Sequence, residues 1–378
     1  MKKIGCMLLL ILFLIPFNIV SANELATNAS SVIVLEPTTG EIIYERNSHE
    51  RRHPASMTKI MTMLLVVESI EKGLISWTDI VTVSENASSM GGSQILLETN
   101  EQMSVEDLFK GVAVASGNDA AVALAEKIAG TEEMFVEMMN KRAKELGLSD
   151  TNFKNPHGLD DANHYSSAYD MAIMAKELVS HKKVLEFTSI YEDYLRKGTD
   201  KAFWLVNTNK LVRFYKGVDG LKTGYTSEAG FCITATANIN DMRIITVVMG
   251  EPDSKTRNAD VSSVFDYVYA QYGLKTVVDE NMILDTVSIE KGKVDKVDIV
   301  AKEKVTDLFK KTDGEGNLTY DIKVDNIKAP VKNGDVVGKL TLKEDGNVIK
   351  TIDLTVKENI EKANIFELYF KYLKKYLG

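Results

Sequence analysis

The sequence predicts an α+β fold, and three observations carry that expectation. Apolar strand patterns open the body of the chain, helical patterns fill its middle, and strand patterns return after it. That order lets the terminal strands pair in one sheet with the helices packed against it. Beyond about Gly273 the texture changes to short alternating runs, as in a small all-β module. The final stretch, "NIFELYFKYLKKYLG", changes again to the pattern of an amphipathic helix. At 378 residues and 44% hydrophobic, the chain has material for one large domain and a smaller one.

The first residues, "MKKIGCMLLLILFLIPFNIVSANELA", place Lys2 and Lys3 before an apolar run that leads to Pro16 and to Val20-Ser21-Ala22. This is the three-part form of a secretory signal, with cleavage expected after Ala22 and export of the rest. A retained anchor would need about 20 apolar residues, and this run is broken by Pro16 and Asn18. Cys6 precedes the apolar run, which is not the place of a lipidated cysteine. Its removal leaves Cys232 alone, so no internal disulfide is expected.

From Ser31, "SVIVLEPTTGEIIYERN" reads as a hairpin turning at Pro37 to Gly40. "ASMTKIMTMLLVVESIEKG" carries apolar residues at helical spacing and stops at Gly73. Helical patterns then dominate from Val105 to about His181. "GFCITATANINDMRIITVVMGE" gives a second hairpin turning around Asn238 to Asp241. In the terminal helix, Ile365, Phe366, Leu368, Tyr369, Phe370, Tyr372, Leu373, Tyr376 and Leu377 share one broad face opposite Glu367, Lys371, Lys374 and Lys375. That pattern suits a helix lying in a membrane interface; packing on the β module is the alternative.

A formal charge of −9 and a pI near 5.3 argue against a nucleic-acid partner. The five histidines show no metal-ligand spacing, so neither metal nor cofactor is expected.

Three short motifs carry candidate chemistry. Ser56-Met57-Thr58-Lys59 follows Pro54 at a predicted helix start, where unpaired N–H groups favour negative charge. Residues i and i+3 share a helix face, so Lys59 can reach the Ser56 hydroxyl and act as its base if burial and cationic neighbours lower its pKa. The spacing alone is weak, since it recurs at Ser69, Ser180 and Ser288. Ser116-Gly117-Asn118 reads as a polar turn between two helices, with Gly117 ending the first and Asn118 or Asp119 capping the second. Lys222-Thr223-Gly224 occurs once, on a predicted strand, where a lysine and a hydroxyl suit a carboxylate and the glycine lets a ligand backbone approach. Taken singly, each also reads as a helix start, a turn or a strand entry.

In this order the three motifs are those of β-lactamases and penicillin-binding proteins. The chain resembles the serine D-alanyl-D-alanine carboxypeptidases, low-molecular-weight penicillin-binding proteins. The resemblance rests also on "TGEIIYERN", "PASMTKIMT", "NPHGLDDANHYSSAYDMA" and "GLKTGYT", runs from about Ser31 to Gly273, and continues more weakly through "IKAPVKNGDVVGKLTL" and the tail. It implies a β-lactamase/transpeptidase-like catalytic domain with a small C-terminal all-β domain and a terminal helix. The expected divisions are a signal at 1–22, the serine D,D-peptidase domain at 23–273, the β domain at 274–360 and the membrane-anchoring helix at 361–378.

Carried over, the resemblance makes Ser56 the acylated nucleophile, Lys59 its base and Ser116 the proton relay toward the leaving D-alanine. Asn118 would hold the substrate amide and Lys59; Lys222 and Thr223 would receive the terminal carboxylate beside Gly224. The backbone N–H groups of Ser56 and Tyr225 would form the oxyanion hole. His157 and His164 are expected to be structural. The implied partners are peptidoglycan stem peptides ending in D-Ala-D-Ala, β-lactams as covalent inhibitors, and the membrane surface. A class A β-lactamase would need a Glu-x-x-x-Asn loop, which is absent between Asp119 and Leu221. A D,D-endopeptidase would use the same residues, and a β-lactam sensor would acylate without hydrolysing peptide.

Overall fold

The computed structural model describes residues 24–280, 282–314 and 316–377. The signal-like segment at 1–22 lies outside them. The first hairpin forms as expected, Ser31–Glu36 pairing antiparallel with Glu41–Arg46. Ser31–Glu36 also pairs with Met242–Glu251, so strands far apart in sequence are joined in one sheet. The five-stranded order is Glu41–Arg46, Ser31–Glu36, Met242–Glu251, Gly230–Ile239 and Val218–Thr226. The second hairpin turns at Asn240 and Asp241, both at positive φ, the backbone of a tight two-residue hairpin turn.

Both faces of this sheet are covered, which follows from strict alternation along its strands. Ile33, Leu35, Ile245 and Val247 join the core shared with the helices. Val32, Val34, Ile244 and Val248 face the other way, against Val261, Val264, Phe265 and Val268 of the helix Ser254–Gln271. The helix Lys59–Glu71 is buried almost throughout, including Lys59. A helix apolar on all sides belongs at the centre of a domain, and its first residue therefore carries an amine into the interior.

Helices dominate the middle of the chain, with one interruption. Between Val105 and His181 the helices are Val105–Lys110, a π turn at Gly111–Ala115, Asn118–Ala129, Glu132–Glu145 and Ala168–Ser180, but residues 146–167 are not helical. Gly147 and Gly158 at positive φ and Pro156 interrupt that segment. It is tied down by backbone bridges from Arg52 to Ser166 and from Asn152 to Tyr165.

The helix Ser254–Gln271 runs directly into the strand Tyr272–Val278, which pairs with Val305–Lys310. A six-stranded sheet follows, in the order Leu318–Val324, Gly338–Glu344, Asn347–Val356, Lys296–Ala301, Ile283–Glu290 and Ile327–Lys328. The terminal helix Ile365–Leu377 begins with a reciprocal cap: Asn364 Oδ1 accepts from Glu367 N at 2.9 Å and Asn364 N donates to Glu367 Oε2 at 2.6 Å. It meets the β module through Lys371, whose Nζ donates to the carbonyls of Gly292 and Val294 and pairs with Asp295. Ile365, Phe366, Tyr369 and Phe370 point away and are exposed. The polar side of this helix, and not its apolar side, makes those contacts.

Candidate active site

Ser56 lies in a short 3₁₀ turn, Ala55–Thr58, that leads into the helix starting at Lys59. In 3₁₀ geometry residues i and i+3 eclipse, so the turn stacks the hydroxyl of Ser56 against the side chain of Lys59. Lys59 Nζ donates to Ser56 Oγ at 3.0 Å, to Asn118 Oδ1 at 2.6 Å and to the carbonyl of His157 at 2.7 Å. Lys59 is fully buried. Burial first, and the nearby Lys222 second, hold its ammonium well below the usual lysine pKa, with Asp119 opposing. The three acceptors fix the position of the amine, and burial beside Lys222 eases the loss of its proton.

Two glycines permit this packing. Gly158 has φ +92°, and a Cβ there would lie 1.9 Å from the Ala55 carbonyl oxygen. Gly224 sits against the same turn: a Cβ there would meet the Pro54 carbonyl at 2.8 Å and the Ser56 nitrogen at 3.2 Å. The glycine of Lys-Thr-Gly thus admits the protein's own backbone, where the sequence suggested that of a ligand. It also sets the edge strand, with Tyr225, beside the Ser56 amide.

Lys222, on the strand Val218–Thr226, is almost wholly buried and donates to the Thr223 carbonyl at 3.0 Å. Burial, then the positive charge of Arg257, lowers its pKa to about 7. Arg257 is itself buried, with Nη1 on the Cys232 carbonyl. Thr223 Oγ1 donates to Thr208 Oγ1 at 2.8 Å. Ser116 ends the π turn in the left-handed region, φ +65°. Its buried Oγ has no hydrogen-bond partner among the described residues. A non-glycine residue in that conformation is uncommon and clusters at functional sites. Asn118, besides holding Lys59, donates from Nδ2 to the Gly91 carbonyl at 2.7 Å. The helix Asn118–Ala129 is capped by Gly117 rather than by Asn118 or Asp119. Asp119 instead accepts from the amides of Ile95 and Leu97 and so anchors the neighbouring segment. Tyr225 is exposed, its ring 4.3 Å from that of Phe231.

Residues 18–253 match the family described as D-alanyl-D-alanine carboxypeptidase, and residues 272–362 match the C-terminal domain of penicillin-binding protein 5. The D-alanyl-D-alanine carboxypeptidase DacF of Bacillus subtilis is 50% identical over 357 residues, covering 94% of this chain and 91% of that protein. The chain belongs to the D-alanyl-D-alanine carboxypeptidase family. Among solved structures, penicillin-binding protein 5 of Haemophilus influenzae superposes with a TM-score of 0.74 at 33% identity, covering 91% of this chain and all of that one. The ampicillin-bound penicillin-binding protein D2 of Listeria monocytogenes gives a TM-score of 0.57 at 32% identity, over 64% of this chain and 97% of that one. Family membership accounts for the α+β catalytic fold followed by an all-β domain.

In this carboxypeptidase-family chain the three motifs meet, but the site uses more than they contain. His157 contributes its backbone carbonyl to Lys59, and a carbonyl leaves no mark on sequence. His164 accepts from Lys154 N at Nδ1, which leaves Nε2–H to donate to Thr58 Oγ1 at 2.7 Å. It braces the turn that carries Ser56. Arg257 carried no local signal, being one arginine on the otherwise apolar, buried face of its helix.

Proposed function

We propose that this chain is an exported serine carboxypeptidase that removes the terminal D-alanine from peptidoglycan stem peptides through an acyl-enzyme on Ser56. The observation that carries the reading is the buried, depressed-pKa Lys59 held 3.0 Å from the Ser56 hydroxyl. Neutral Lys59 takes the Ser56 proton as Oγ attacks the penultimate D-alanine carbonyl, and a C–O ester bond replaces the C–N amide bond. Ser116 passes a proton to the departing amine. Lys222 and Thr223 hold the substrate carboxylate, Asn118 holds its amide, and the N–H groups of Ser56 and Tyr225 stabilise the oxyanion. Water then cleaves the ester and returns a proton to Ser56. β-Lactams acylate the same serine, and without the β-lactamase glutamate the adduct persists.

Export and membrane attachment belong to the same reading. The signal-like N-terminus supports the first, and the outward apolar residues of the terminal helix support the second. Among the described residues no helix is long and apolar enough to cross a membrane. The 13-residue terminal helix, about 20 Å long, lies in the interface.

Release of D-alanine from a soluble peptide ending in D-Ala-D-Ala tests the function. Ser56→Ala lowers it by on the order of 10⁴ to 10⁶; wild-type-like release by that variant would sink the assignment.

A further inference from the structure

The terminal helix and the β module enclose a cavity of about 660 Å³. Lys291 and Lys296 line it from the module, Lys371 and Lys374 from the helix, and Glu290 and Asp295 are the two acids on its wall. Both acids are already engaged: Glu290 Oε1 accepts from Asn326 at 3.0 Å, and Asp295 pairs with Lys371 at 2.7 Å. Among the described residues, the ammonium groups of Lys291, Lys296 and Lys374 have no hydrogen-bond or ion-pair partner. In a chain of net charge −9, three uncompensated cations around one cavity form a local anion trap.

The cavity adjoins the helix whose Ile365, Phe366, Tyr369 and Phe370 are exposed. An interfacial helix buries its apolar face about 5–10 Å into the headgroup and acyl boundary, which brings the cavity to headgroup depth. We propose that this cavity binds the phosphate of an acidic phospholipid headgroup, so that the helix supplies apolar insertion and the module supplies lipid selectivity. This inference rests on the membrane reading above and deepens it.

The test is sedimentation of the full mature chain with vesicles of phosphatidylcholine alone or mixed with phosphatidylglycerol. Lys291→Gln/Lys296→Gln is compared with Lys323→Gln/Lys339→Gln, a cross-strand lysine pair near the opposite edge of the six-stranded sheet. Penicillin acylation at the wild-type rate reports an intact fold. The expected result is tighter binding to the acidic vesicles, lowered about thirtyfold by the cavity pair, with binding to neutral vesicles and the distant control unchanged. An undiminished preference in the cavity variant overturns the proposal, as does an equal loss in the control pair, which would mean diffuse surface charge. Saturable binding of free glycerol phosphate to the wild type overturns the lipid source in favour of a soluble anion. Equal binding to both vesicles removes the headgroup site alone, whereas binding to neither removes the membrane reading and this inference with it.

Discussion

Lys59 Nζ and Asn118 Oδ1 lie 2.6 Å apart, a bond that ties the nucleophile's helix to the polar turn carrying Ser116. It fixes the four-carbon stem of Lys59, so that the amine faces Ser56. Asn118→Ala leaves Lys59 bonded to Ser56 and the His157 carbonyl only. The expected result is an acylation rate lower by about 10² to 10³, the range for loss of one preorganised polar contact, with a stability loss of about 1–3 kcal/mol because the Gly91 carbonyl also loses its partner. Stopped-flow acylation by a chromogenic cephalosporin measures it, and a wild-type rate would count against the positioning role.

The pH profile of kcat/KM follows from two lysines with opposite requirements. Lys59 must be neutral to act as a base, so activity falls as pH drops through its depressed pKa. Lys222 must be charged to hold a carboxylate, so activity also falls as pH rises through its value of about 7. The profile is a bell, and Lys222→Arg removes or shifts upward its alkaline limb because arginine stays charged. An unmoved alkaline limb in that variant would assign it to another group.

Gly158→Ala places a methyl group 1.9 Å from the Ala55 carbonyl at φ +92°. The turn bearing Ser56 must move, at a stability loss of about 3 kcal/mol or more. Denaturant midpoints and acylation rates should fall together, and a folded variant acylating normally would show that the turn tolerates displacement.

His164 is buried and neutral, its pKa lowered to about 4, chiefly by burial. Its folded pKa lies below the unfolded value, so between about pH 6.5 and 4 the unfolded chain binds the extra proton and stability falls as pH falls. The effect is at most on the order of 3 kcal/mol. His164→Gln should flatten that part of the curve, measured by urea midpoints from pH 7 to 4; an identical slope in the variant would exclude His164 as its source.

Removing residues 364–378 should release the protein from membranes while sparing hydrolysis of a soluble peptide. The helix touches the β module through Lys371, and none of its described residues bonds a residue of the Ser56 site. Continued sedimentation of the truncated chain with membranes would place the attachment elsewhere.

The parts of this molecule that were legible in sequence are those encoded locally. Period-two runs announced both hairpins, and three short motifs singled out Ser56, Lys59, Ser116, Asn118 and Lys222, of which Lys59 bonds both Ser56 and Asn118. What could not be read depends on contacts between distant segments. The non-helical stretch at 146–167 lies under the nucleophile turn because Gly158 and the His157 carbonyl are needed there. Arg257 matters only because its helix packs on the strand Gly230–Ile239, the neighbour of the Lys222 strand, from where its charge reaches the Lys222 amine. The wheel of the terminal helix showed two faces, but only the bonds of Lys371 reveal which one meets the module.

The central claim is that Ser56 is the nucleophile. Intact mass of the chain lacking signal and tail, followed over hours after addition of penicillin with Ser56→Ala beside it, tests this most directly. The account predicts a lasting one-to-one adduct in the wild type and none in the variant. Rapid return to the unmodified mass with hydrolysed drug, or an adduct of equal size in Ser56→Ala, would contradict it.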